Sequence, residues 1–136
     1  MVAEIRIFNP EALGTPAGQY SHVARVKAAE WLLVSGQLAT DPSGAVVGAG
    51  DFDTQCTRIF ANIEAALASA GATWAQVVQF TTYLTRAENV PAFMALRKRE
   101  FSRLFPSGVY PTNTLLIVSG LVREPFLVEV HTVAAL

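Results

Sequence analysis

Cysteine, histidine and charge are all scarce in this chain. A single cysteine, Cys56, cannot form an internal disulfide, which fits a reducing, cytoplasmic setting. Two histidines and one cysteine are too few for a zinc site, so no metal is expected. The chain has no glycine-rich phosphate loop and no Ser-His-Asp elbow, and no cofactor is called for. No apolar run approaches the roughly 20 residues needed to span a bilayer. The first residues, Met1 to Ile7, lack the basic segment and apolar core of a secretory signal. Membrane association and export are therefore not expected. Ten basic and eleven acidic residues give a net charge of −1, without the basic excess that nucleic-acid binding needs. Only 15% of residues are charged against 51% hydrophobic, too little charge to cover a lone subunit, which points to contacts between copies.

What is present fits one domain. A chain of 136 residues is long enough to bury a single core, and no repeat or linker divides it, so residues 1–136 are read as one unit. Residues 3–8 alternate weakly as an edge strand, 20–26 read as a second strand, and Trp31 to Ser35 as a short buried one. Asp41-Pro42-Ser43-Gly44 is a type I turn signal leading a hairpin into Ala45, Val46 and Val47. From Asp53 the period changes. Cys56, Ile59, Phe60, Ile63, Ala66, Leu67 and Ala70 recur at steps of three and four, the stripe of an amphipathic helix. Asp51 or Asp53 can cap its start and Gly71 can end it.

Residues 77–84 are rich in β-formers, and a second helix is expected at about 89–105, with Val90, Met94, Phe101 and Leu104 on one face and Pro91 in its first turn. Two last strands, near 113–119 and 126–134, carry apolar residues on both faces, as strands buried twice would. The fold class is α+β: a mixed sheet with two helices on one face, the other face left for partner subunits.

Several residues carry chemistry. Glu129 and His131 are two apart on a strand and share one face, where a carboxylate and an imidazole can divide base and acid work; a structural or interface role is the alternative for both. His22 alternates with Tyr20 and reads as ordinary, and Cys56 as a small core residue. Arg97 falls on the apolar stripe of the second helix, where an unpaired guanidinium is costly. It must reach an edge, a carboxylate or a cleft. Arg97-Lys98-Arg99 otherwise reads as a solvated helix face.

Four motifs stand in order along the chain: Gly18-Gln19-Tyr20, Ser35-Gly36-Gln37, the run Ala61 to Gly71, and Leu127-Val128-Glu129-Val130. With Tyr110-Pro111-Thr112-Asn113 they make the chain resemble the RidA (YjgF) imine/enamine deaminase family, and the spacing of the last strands is like its aminomuconate deaminase branch. The resemblance implies a chorismate-mutase-like fold and a homotrimer with clefts between subunits. It implies a small-molecule substrate whose carboxylate is bound by an arginine, and a glutamate that positions water. Carried over, the site residues are Glu129 as catalytic group, with Tyr20, Ser35 and Gly36 lining the pocket. Asn113 takes the place of the arginine, and Leu115 the place where the family often has cysteine.

Arginine offers a charged fork to a carboxylate, whereas asparagine offers neutral donors. Charge-assisted bonds contribute roughly 1.5–3 kcal/mol against about 1 for neutral ones, so carboxylate binding at this position should weaken at least about tenfold. The expectation is an imine or enamine hydrolase with weak or no activity on standard 2-imino acids. Arg97 is expected to restore a positive charge to the pocket. A non-catalytic metabolite-binding or chaperone-like trimer is the alternative.

Overall fold

The computed structural model describes residues 2–136. Six strands and two helices run in the order β1 (Glu4–Phe8), β2 (Val23–Lys27), β3 (Trp31–Gln37), α1 (Phe52–Ser69), β4 (Val77–Leu84), α2 (Val90–Leu104), β5 (Thr112–Ile117) and β6 (Val128–Ala135). β1 and β2 form an antiparallel ribbon, and the other four strands form a mixed sheet in the order β3-β6-β4-β5. β6 is antiparallel to both neighbours, while β4 and β5 are parallel. A parallel pair cannot be closed by a tight hairpin, and α2 supplies the crossover.

Both helices cover one face. On β4 and β6 the even-numbered residues, among them Phe80, Thr82, Leu84, Val128 and Val130, are buried. Phe60 of α1 and Phe101 of α2 both pack on Phe80, at centroid distances of 6.1 and 5.9 Å. Trp74, Phe105 and Tyr110 extend this aromatic cluster, which holds the helices to the sheet. From Gln79 in β4 and over Glu129–Val133 in β6 the odd-numbered residues point to the opposite, open face; before the register shift at Val77/Gln79, Val77 itself is in the core.

The helix ends follow from local chemistry. The Asp51 carboxylate accepts from Thr54 N at 3.1 Å and caps α1. At the other end Ala72 N donates to Leu67 O and Gly71 N to Ala68 O, with Gly71 at φ 71°, the left-handed exit that glycine allows. Asp41 Oδ1 accepts from Ser43 N and Ala45 N and fixes the Asp41–Gly44 turn. That turn closes one antiparallel bridge, Thr40 to Val46, rather than a longer hairpin.

Several expectations are corrected. β3, read as buried, leaves Trp31 and Leu33 exposed in the single chain because only its Val34 side faces the helices. β2 begins at Val23, not residue 20, because Ser21 N is spent on Pro111 O and His22 N on Asn9 Oδ1. β5 ends at Ile117 and is an edge strand buried on one side at most: Leu116 and Ile117 are exposed in the single chain. Met94, placed on the buried stripe of α2, is exposed, while Arg97 is buried. The basic run is solvated only at Lys98 and Arg99.

Candidate functional site

Two groups of site residues form, one on each face of the sheet. The first is built on β6. Glu129 and His131 stand opposite Tyr83 and Thr81 of β4, all on the open face. Beside them β3 slips register between Val34 and Gln37, which places Ser35 and Gly36 at an irregularity. The Glu129 carboxyl lies over Gly36 so closely that a Cβ there would stand 2.7 Å from Glu129 Cδ. Gly36 does not have positive φ, so close approach, not backbone conformation, is what requires glycine. Burial pushes the Glu129 pKa up from the ordinary carboxyl value, and His131 opposes the shift. No hydrogen bond from a described residue reaches that carboxylate. Ser35 offers its backbone carbonyl to Gln37 Nε2, and its side chain is on the surface.

The second group lies on the helix side. Asn113 pairs with Phe80 in the parallel register and Leu115 with Thr82, so both face the helices. The hydroxyl of Thr82, itself buried, donates to Asn113 Oδ1 at 2.8 Å. This fixes the amide with Nδ2 as its remaining donor. Leu115 packs against the core. Arg97 is 4% exposed. Its Cζ lies 5.0 Å from the Phe93 ring centroid and 5.8 Å from that of Tyr20. Burial lowers its pKa from the ordinary arginine value, with Tyr20 acting in the opposite sense. Nε and Nη1 are sealed from solvent and have no partner among the described residues. Arg97 thus reaches neither a solvated edge nor a carboxylate of its own chain. Tyr20 also stacks edge-on with His22, whose Nε2 lies 3.1 Å from Gly14 O.

Within one chain, then, Tyr20 meets Arg97, Gly36 meets Glu129, and the sheet separates Glu129 from Asn113. Residue types alone did not single out Thr82 or Phe93. Thr82 sits unmarked in a run of β-formers, and its role shows only through the β4–β5 register. Cys56 is a core residue, its thiol pushed up to about 12 by burial. No group of three or more His, Cys, Asp or Glu is placed to hold a metal among the described residues. The largest surface hollow among those described, about 680 Å³ between Ala49, Arg86, Leu121 and Phe126, is lined by none of the candidate site residues.

The family model for endoribonuclease L-PSP matches residues 11–136. The chain belongs to the RidA/YjgF family. The RidA/YjgF match takes in both groups of site residues, from Gly18 to Glu129. A RutC family protein of Pyrococcus abyssi is 38% identical over 119 residues, covering 88% of this chain and 87% of that one. The RutC family protein YjgH of Escherichia coli is 30% identical over 121 residues, covering 85% and 88%. Among solved structures, a Yersinia pestis protein of unknown function from the conserved Rid family superposes with a TM-score of 0.86 at 28% identity, covering 97% of this chain and 98% of that one. The RidA/YjgF fold, a mixed sheet with two helices, is therefore shared along nearly the whole chain.

Proposed function

We propose that this chain is a cofactor-independent hydrolase of a reactive small-molecule imine or enamine, assembled as a homotrimer, with weak or no activity on standard 2-imino acids. The observation that carries this reading is the partly buried Glu129 carboxyl laid on the Gly36 backbone at an open sheet face. A carboxylate with a raised pKa is a better base toward water than an ordinary surface one. It takes a proton from water as the oxygen adds to the C=N carbon. That proton goes to the nitrogen, giving a carbinolamine. The carboxylate then takes the hydroxyl proton and passes it to the nitrogen as the C–N bond breaks and the C=O bond forms. Ammonia and a carbonyl compound leave. This sequence needs only water as co-reactant.

The pairing of faces supports an assembly. Asn113 and Glu129 project to opposite sides of one sheet, so a pocket using both draws them from two copies. In such a pocket Asn113 Nδ2 donates a neutral hydrogen bond, while Ser35, Gly36, Tyr20 and Leu115 shape the walls. The neutral amide also favours a second reading, a metabolite-binding trimer without turnover. RNA cleavage, which the family model's description names, gains little from a net charge of −1.

The test is hydrolysis of imines generated in solution by an amino-acid oxidase, followed by ammonia release. Glu129→Gln should lower kcat by about 10²- to 10⁴-fold, the usual contribution of a positioned base. A protein that accelerates none of a panel of imines and enamines above buffer would leave only the binding reading. Clearance of 2-iminopropionate at the rate of an arginine-containing relative would contradict the altered substrate range.

A further inference from the structure

Glu129 has a hydroxyl-bearing neighbour of its own on the open face. In the β4–β6 register Tyr83 stands directly across from it, and Leu116 of β5 is next in the same row. Directly opposed residues of an antiparallel pair share a face and keep their Cβ atoms about 4.5–5.5 Å apart. The two side chains nevertheless do not meet. β3 and β4 flank β6 on opposite sides, so a carboxyl that lies on the Gly36 backbone of β3 leans away from Tyr83. No hydrogen bond joins the phenol to that carboxyl. Both residues are half-buried, and the space over β6 is left between a carboxyl on one side and a phenol on the other.

The lean matters for the chemistry. Addition of water to C=N moves one proton off oxygen and one onto nitrogen, at two ends of the substrate. A carboxyl held against Gly36 is badly placed to follow the proton from one end to the other. A phenol accepts and donates at the same oxygen, which an ionised carboxylate cannot do. We propose that Tyr83 is the proton relay between Glu129 and the substrate nitrogen. Glu129 takes a proton from water as the C–O bond forms. The Tyr83 O–H bond breaks as the N–H bond forms, and the proton on Glu129 passes to the phenol oxygen. Both groups end in their starting states, and nothing but water is consumed. The same transfer serves the second proton as the C–N bond breaks. The inference rests on the hydrolase reading and assigns a role to a side chain outside the motifs. Tyr20 cannot fill it within one chain, because it lies on the helix side against Arg97.

The experiment is steady-state ammonia release by the assembled protein on whichever imine or enamine of the panel wild type turns over fastest. Tyr83→Phe should keep the mass and melting temperature of wild type. Its KM should be unchanged while kcat falls roughly 10²-fold, the low end of what positioned proton transfer contributes. Added to Glu129→Gln it should cost nothing further, because the relay then has no proton to carry; independent effects would multiply. Imidazolium buffer, a small proton donor, should raise the Tyr83→Phe rate with its concentration at fixed pH and leave wild type unchanged. Tyr83→His, which keeps a ring that donates and accepts, should retain more kcat than Tyr83→Phe and keeps the test open if that variant folds poorly.

An unchanged kcat in Tyr83→Phe, or full additivity with Glu129→Gln, would overturn the inference. A rate lost together with a fall in mass toward the single subunit would overturn it too, leaving Tyr83 a contact between copies. A raised KM at constant kcat would make it a pocket wall only. A kcat loss confined to His131→Gln would hand the relay to the imidazole instead. If wild type hydrolyses nothing in the panel, the hydrolase reading falls and the relay with it; an active wild type matched by Tyr83→Phe removes the relay alone.

Discussion

Burial raises the Glu129 pKa, and His131 pulls it the other way. A carboxyl whose folded pKa exceeds its unfolded value contributes stability fully at pH below the ordinary carboxylate range. That contribution is lost as pH rises through the raised value. At neutral pH the group is therefore charged where charge is poorly solvated. Glu129→Gln should melt at or above wild type at pH 7, and the advantage should vanish on acidification through the carboxylate range. Melting curves for both proteins across pH 3–8 check this, and a pH-independent difference would refute it. On the other face, Thr82→Val removes the donor that orients the Asn113 amide and should cost about 1 kcal/mol of stability. The same change should raise KM more than it lowers kcat, because the amide binds and does not transfer protons. Gly36→Ala should behave like Glu129→Gln in turnover, since the added methyl displaces the carboxyl.

At the scale of elements, one side chain ties together loops that sequence order keeps far apart. Gln55, fully buried on α1, donates through Nε2 to Gly48 O and Pro125 O and accepts from Leu127 N. It anchors the segment that leads into β6 and so sets where Glu129 emerges. Gln55→Leu keeps the volume but strands these backbone groups, and should cost about 1–3 kcal/mol in chemical denaturation with an unchanged m value.

α1 and β4 were legible in the sequence to within a residue or two, because a clean three-four stripe and a dense run of β-formers agree with their tertiary surroundings. β2 was misplaced at its start. The type of Tyr20, Ser21 and His22 suits a strand, but their backbone groups are claimed by Pro111 and Asn9. The choice of Glu129 as a candidate site residue was carried by a motif. The separation of Glu129 from Asn113 was not visible, since it depends on the parity of β5 against β4, which no single strand reveals. Arg97 stood out in the sequence as a cation on an apolar stripe, but the Phe93 and Tyr20 rings beside it and its lack of a carboxylate partner depend on the packing of α2, which the stripe alone does not reveal.

The whole molecule leaves one sheet face partly bare. Leu33 is 71% exposed and Trp31 52%, and both stand on the open face beside Val133. In the inferred homotrimer this face is covered by the other copies. Leu33→Glu should then shift the mass in sedimentation or light scattering toward the single subunit, and turnover should fall with it. An unchanged mass would show that some other surface holds the copies together.

The placement of Glu129 and Asn113 on opposite sides of one sheet has a genetic corollary for that trimer. A subunit crippled at Glu129 still presents an intact helix-side half, and one crippled at Asn113 still presents an intact carboxyl. Co-expression of the two dead alleles should revive a portion of the clefts by complementation. A lone-subunit catalyst would stay silent under the same cross.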